Sequence, residues 1–222
     1  MTDQITVTQR VVEEFVEEFV GDLAPLAAQI GSAEGLAALS GAVPRKFHRV
    51  KDLASLRCFL LDYHSEVLIP LELPAICRAH GHASRYEIRE LIELDRQLAR
   101  EMLLQRFATA SQRVGKTQLK RLRPLRDQRL VQRYLRAVQA GEAQAWHTVV
   151  YGLVLSLYSL PLRQGLLSYA QLTTRGFILS ASGQLQVTRT ECQELMSELG
   201  SGLPVAVNRL LNSAAGLASP IG

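Results

Sequence analysis

Apolar residues recur at spacings of three and four along nearly the whole chain, and no alternating β-branched run stands between turn signals. That period places successive apolar side chains on one side of a helix turn and excludes the period of two that a half-buried strand needs. The pattern is clear from the start. Val11, Val12, Phe15, Phe19 and Val20 share one side, and Glu13, Glu14, Glu17 and Glu18 fill the other, so residues 1–24 hold an N-terminal amphipathic helix. The expected fold is all-α, a single-domain helical bundle of about eight to ten helices spanning residues 1–222.

Start and stop signals divide the bundle. Residues 25–40 read as a short helix, and Pro44-Arg45-Lys46 as a connector. Asp52 is an N-cap for a helix with Leu53, Leu56, Phe59 and Leu60 on one stripe. It runs toward His80 as one bent helix or two, interrupted at Pro70 and Pro74. Gly81-His82-Ala83-Ser84 reads as a loop, and Ser84 with Glu87 as a capping box. That box opens a long helix with Ile88, Leu91, Leu94 or Leu98, Met102, Phe107 and Val114 on its buried side and Gly115 where it can bend. Pro124 breaks the next stretch. Helices are expected over residues 126–140, 142–159, 161–182, 188–199 and 203–212, followed by a small, flexible tail at 214–222. Thr188 and Glu191 form another capping-box pattern. Trp146, Tyr151, Leu153, Leu155 and Leu157 belong to a helix apolar on nearly every side, hence interior.

With 47% hydrophobic and 21% charged residues, the chain can bury a core and is not a disordered segment. Cys58, Cys77 and Cys192 are scattered, odd in number and form no CxxC pair, which argues against a disulfide framework and for a reducing cytoplasm. The N-terminus turns acidic where a secretory leader would be basic and then apolar. The most apolar stretch, residues 148–162, falls short of the roughly 20 residues a bilayer requires and contains Pro161. A soluble cytoplasmic protein with no membrane partner follows.

No stretch specifies a reaction. Gly115-Lys116-Thr117 resembles the end of a phosphate-binding loop, but Ala110 stands where that loop needs glycine, and the preceding segment is helical. Cys77, His80 and His82 are candidate metal ligands by chemistry, yet a closed site needs about four, and His64 and His147 are remote. Polar residues at a helix end and its loop are the favoured account of them. Between residues 113 and 136 lie Arg113, Lys116, Lys120, Arg121, Arg123, Arg126, Arg129, Arg133 and Arg136, opposed only by Asp127. Such a stripe could track the phosphates of a nucleic acid. It is interleaved with Leu119, Leu122, Leu125 and Leu130, with Tyr134 the lone ring, which favours a solvated face or a docking surface for an acidic partner. There is no GxSxG, Cys58 sits on an apolar stripe, and Glu13/Glu14 and Glu90/Glu93 face solvent. The expectation is a protein that binds other proteins, with no catalytic residue and no cofactor.

Four stretches, in order, resemble the urease accessory protein F (UreF) family from about Asp52 to Leu199. Val50-Lys51-Asp52-Leu53-Ala54-Ser55-Leu56 followed by Phe59-Leu60 is similar to that family's "V-x-D-x-x-S-L-x-x-(W/F)-L". Leu71-Glu72-Leu73-Pro74 through Ala79-His80 is similar to "L-D-L-P-x-x-x-x-A-H". Leu91 to Leu119, with Leu94-Asp95 and the run Arg106 to Lys116, resembles "L-x-x-L-D…R-x-A-S-x-x-x-G-x-x-L". His147-Thr148-Val149-Val150-Tyr151-Gly152, Leu160-Pro161 and Leu166 to Tyr169 resemble "H-P-V-x-x-G…L-P…L-x-x-(Y/F)". Two family signatures are reduced. The N-terminal Gly-Gly-Phe-x-His-Ser-x-Gly-Leu-Glu stands here as Gln29-Ile30-Gly31-Ser32-Ala33-Glu34-Gly35-Leu36-Ala37, and of the later "P-L-G-Q-(T/N)-x-x-Q" only Gln193 remains.

The resemblance implies an all-helical, non-enzymatic chaperone for nickel insertion. It would form a homodimer and bridge accessory protein D (also called H) and the accessory GTPase G on apo-urease. A divergent paralogue with another client, a nucleic-acid-binding protein using the 113–136 stripe, and a helical enzyme without a recognisable motif are the other classes considered. Within residues 161–182, Leu162, Leu166, Tyr169 and Leu172 or Thr173 form one stripe, and Gln164, Leu167, Gln171 and Arg175 a neighbouring one. Leu167, Gln171, Arg175 and Tyr169 are therefore the expected partner-binding residues. Packing of Leu167 on a helix of the same chain is the competing account.

Overall fold

The computed structural model describes residues 50–125, 128–185 and 187–218. Within them the chain is helical and contains no strand: α1 (Leu53–Tyr63), a π-helical segment (His64–Glu72), α2 (Leu73–Ser84), α3 (Ile88–Leu98), α4 (Ala108–Arg121), α5 (Arg129–Gln139), α6 (His147–Leu157), α7 (Leu162–Leu185), α8 (Arg189–Ser201) and α9 (Leu203–Ala218). The all-α expectation holds. The readings for residues 1–24, 25–40 and 44–46 lie outside the described residues, as do Arg126 and Asp127.

Two helix starts follow from local chemistry alone. Asp52 accepts from the Ser55 amide at 2.8 Å while Ser55 Oγ accepts from the Asp52 amide, and Thr188 and Glu191 form the equivalent reciprocal pair before α8.

Prolines 70 and 74 do not break the chain's helical course. Pro70 lies inside the π-helical segment, whose wider turns leave room for a ring that would crowd the preceding turn of an α-helix, and the Leu73 amide donates to Leu68 O, five residues back. Pro74 occupies the first turn of α2, where a missing N–H costs nothing.

Other expectations fail for tertiary reasons. Residues 81–84 are the last turn of α2 rather than a loop, because Ile76, Ala79 and Ala83 form a buried stripe. The Ser84–Glu87 capping box does not form. Ser84 Oγ donates back to His80 O at 2.9 Å, and Glu87 is engaged by Arg85 and His82. The long helix expected after Ser84 is two helices separated by residues 99–107. That break lets Leu104 and Phe107 turn inward and leaves Met102, expected inside, 82% exposed. Helix α9 runs on to Ala218, into the stretch expected to be a loose tail.

Helix α6 is the inner element, packed most extensively on α2 and then α4, with α3 also in contact. Trp146, Tyr151, Leu153 and Leu155 are buried as expected, whereas Leu157 at its end is only half-buried. Two glycines permit the close approaches. A Cβ at Gly152 would lie 2.7 Å from both Ile76 O and Ala79 Cβ on α2, and one at Gly115 would lie 2.0 Å from Ala145 O. Helix α7 spans the bundle and contacts α1, α2, α8 and α9.

Gly152→Val should therefore force α2 and α6 apart and cost about 1–3 kcal/mol or more, as overpacked cores do. Chemical denaturation reads this directly, and wild-type stability would show that the two helices are not held at this crossing.

Candidate functional site

The family-like segments converge on the interior. Asp95, the last residue of "L-x-x-L-D", is fully buried on α3. Its carboxylate accepts from Tyr134 Oη at 2.7 Å, the Gln144 amide at 2.6 Å and the Trp146 amide at 3.1 Å. Those bonds divert the amides just before α6 away from helix formation. This is why the helix expected from residue 142 begins only at His147, after Gly141 and Ala145 turn through positive φ.

A second buried cluster lies where the π-helical segment meets α7 and α6. Tyr63 Oη donates to Glu72 Oε2 at 2.5 Å, and the Tyr169 hydroxyl also bonds Glu72. Burial is the dominant influence on Glu72 and lifts its pKa to about 7, although both tyrosine hydroxyls favour the ionised form. The rings of Tyr169 and Tyr151 stand 5.3 and 5.9 Å from His147, and Tyr151 Oη donates to Gly165 O at 3.0 Å. Burial lowers the pKa of His147 to about 3 and that of His64 to about 4. Thr174 Oγ1 donates to Ala170 O, so the 2.7 Å contact requires His64 Nε2 to be the donor to Thr174. Burial raises the pKa of Tyr63 and Tyr169 well above the usual phenol range. Neutral, enclosed histidines and tyrosines cannot reach a substrate without opening the core. What the cluster does is join the π-helical segment to α7 through the hydrogen bonds of Glu72 with Tyr63 and Tyr169 and of His64 with Thr174.

The remaining sequence candidates stay apart. Cys77, His80 and His82 all lie on α2, but His80 and His82 are two residues apart and point to different sides. Burial lifts the Cys77 thiol to about 11, away from the thiolate a metal binds, and His82 Nδ1 is 2.8 Å from Glu87 Oε2. Among the described residues no group of three or more His, Cys, Asp or Glu is placed to hold a metal ion. Gly115 is buried mid-helix and Lys116 exposed, with helix rather than strand before them, which is not phosphate-loop geometry.

The basic stripe is a surface. Arg113, Lys116 and Lys120 on α4, Arg123 beyond it, and Arg129, Arg133 and Arg136 on α5 are exposed. Tyr134 is buried against Asp95, so the stripe's one aromatic ring offers no base-stacking platform. On α7, Gln164, Gln171 and Arg175 are exposed and Leu167 is half-buried against the core, while Tyr169, expected beside them, faces inward at 1% exposure. Any outward contact of this stripe therefore falls to Leu167, Gln171 and Arg175.

In the sequence Glu72 and Asp95 stand out only through the resemblance, whereas Tyr169 is expected at a partner surface and His147 is a remote, solitary histidine. The gathering of Glu72, His147 and Tyr169 is tertiary, and Tyr63 and Thr174 carry no signal in the sequence. The one local hint was a carboxylate set between Leu71 and Leu73 in an apolar run.

The Glu72 geometry makes a pH-dependent prediction. Its folded pKa of about 7 lies above its ordinary 4.5, so the folded state binds the extra proton and this group's stability contribution falls as pH rises through that window. The buried, neutral His64 and His147 act in the opposite direction below pH 6.5, so the useful quantity is the difference between wild type and Glu72→Gln. That difference should move in favour of the glutamine variant by up to about 3 kcal/mol between roughly pH 4.5 and 7. A pH-independent difference in denaturation free energy would contradict it.

The model of the UreF family matches residues 50–200, the span that contains all four resembling stretches. No curated protein matches the chain. Among the described residues no helix is long and apolar enough to cross a membrane. With its all-helical framework and its motif residues gathered in that framework's interior, the chain belongs to the UreF family of urease accessory proteins.

Proposed function

We propose that this chain is a non-enzymatic assembly scaffold of the cytoplasm. It would work as a homodimer that bridges accessory protein D (or H) and the accessory GTPase G, so that nickel is delivered to apo-urease. The family match over residues 50–200 carries the proposal. The burial of the titratable motif residues supports it, because a scaffold needs a rigid interior and informative surfaces rather than an open reactive cleft. The outer stripe of α7 is the proposed partner surface. Leu167 supplies a half-buried apolar anchor, with Gln171 and Arg175 as an exposed polar rim. The basic α4–α5 face is compatible with nucleic acid only through phosphate contacts, and no observation favours that use over an acidic protein.

Co-purification with the accessory GTPase and with protein D or H tests the proposal. Gln171→Glu with Arg175→Glu changes two exposed side chains and should lower partner capture or self-association by about tenfold while leaving unfolding within about 0.5 kcal/mol of wild type. Leu167→Arg should lower capture further at some cost in stability, and the exposed pair decides the matter if that variant unfolds. Wild-type capture by every variant would refute the surface, and failure of wild type to capture either partner would refute the scaffold. Capture of both without activation of urease would assign the scaffold to another client, as the altered residues 29–37 would suggest.

A further inference from the structure

An ordinary solvated face mixes both signs of charge, and α3 has one. Glu93 lies 3.9 Å from both Arg96 and Arg100, and Arg85 pairs with Glu87 at 2.7 Å just before the helix. Helices α4 and α5 differ. Residues 102–141 hold ten lysines and arginines against one carboxylate, whereas the whole chain holds 25 against 21, so the rest of the chain is net acidic. Arg113, Lys116 and Lys120 form an exposed stripe of α4, and Arg129, Arg133 and Arg136 an exposed stripe of α5, with exposed Arg123 on the connector between them. None of these seven ion-pairs with a carboxylate among the described residues.

The stripes are held in place. Leu119, Leu122, Leu130, Val131 and Leu135 are buried on the inner sides, α4 and α5 touch, and Gln132 Nε2 donates to Arg123 O at 3.2 Å and Leu125 O at 3.0 Å, which fastens the connector to α5. Neighbours along each stripe are three or four residues apart, so every such pair is a like-charge pair that disfavours the helix carrying it. Carboxylates brought by another molecule would relieve that repulsion, and arginine forks suit them best. The spacing favours a protein as their source. Carboxylates four residues apart on a helix stand about 6 Å apart, the same rise that separates Arg129 from Arg133 and Lys116 from Lys120. A nucleic acid would find less, because Tyr134 is buried against Asp95 and leaves the face without a ring on which a base could stack.

We propose that the α4–α5 face docks an acidic segment of a partner protein, whose carboxylates pair with Arg129, Arg133 and Arg136 on α5 and with Arg113, Lys116 and Lys120 on α4. It is a second surface, on different helices from the outer stripe of α7, and it acts whatever the client. Its single sign of charge speeds encounter with an acidic partner and repels a basic one.

Fluorescence anisotropy of the full chain with a labelled oligoglutamate peptide tests this, against an oligoglutamine peptide of the same length and an oligothymidine of the same charge. The glutamate peptide should bind best, and more weakly as salt is raised. Lys116→Glu with Lys120→Glu, and separately Arg129→Glu with Arg133→Glu, should each weaken it by about tenfold. Arg89→Glu with Arg100→Glu makes the same change of net charge on α3 and should weaken it by less than about twofold. All six positions are exposed, so the thermal midpoint should not fall, and if the variant of one helix unfolds the other decides. Absence of oligoglutamate binding, unchanged binding in either folded helix variant, or an equal loss in the α3 variant would overturn the proposal. So would tighter binding of oligothymidine, which would assign the face to nucleic acid.

Discussion

The carboxylate of Asp95 is the interaction on which the arrangement of the bundle depends. A buried charge is costly unless its lone pairs are satisfied, and here a tyrosine hydroxyl and two backbone amides satisfy them. The bonds link α3 to α5 and pin the connector before α6. They thereby set where α6 begins and how it enters the core. Once α6 is placed, Gly152 admits α2 and Gly115 admits the backbone at Ala145, at distances that any side chain would prevent. The tightest helix contacts are thus downstream of one carboxylate.

The family-like residues accordingly have structural jobs. Asp52 starts α1, Glu72 and Tyr169 tie the π-helical segment to α7, Asp95 fixes the connector, and Gly115 and Gly152 set helix separation. His147 is enclosed by Tyr151 and Tyr169 and held neutral by burial. Apart from the exposed Asp52, these groups are buried. The exposed features lie elsewhere, on the outer stripe of α7 and the basic faces of α4 and α5.

What could be read from the sequence was what depends on near neighbours. The capping boxes at Asp52 and Thr188 are decided by residues three apart, and the apolar residues from Trp146 to Leu155 announce burial whatever surrounds them. The errors lie where distant residues decide. Pro70 interrupts one bent helix or two in the sequence, and the form of that interruption, a π-helical segment, is what the sequence does not reveal. Residues 81–84 looked like a loop, but Ala83 packs inward. Residues 99–107 looked helical, but Leu104 and Phe107 are drawn into the core. Tyr169 shows the same limit within the candidate site. Its spacing allowed either side of α7, and only the buried Glu72 reveals which one it occupies.

The central claim is that the motif residues build the framework and leave recognition to surfaces. Chemical denaturation of Asp95→Ala, with partner capture measured below its unfolding transition, tests this most directly. Loss of the shared acceptor strands the Tyr134 hydroxyl and the Trp146 amide and should cost about 3–5 kcal/mol, with partner capture retained by the fraction that remains folded. Wild-type stability combined with lost capture would contradict the account and make Asp95 part of a functional site.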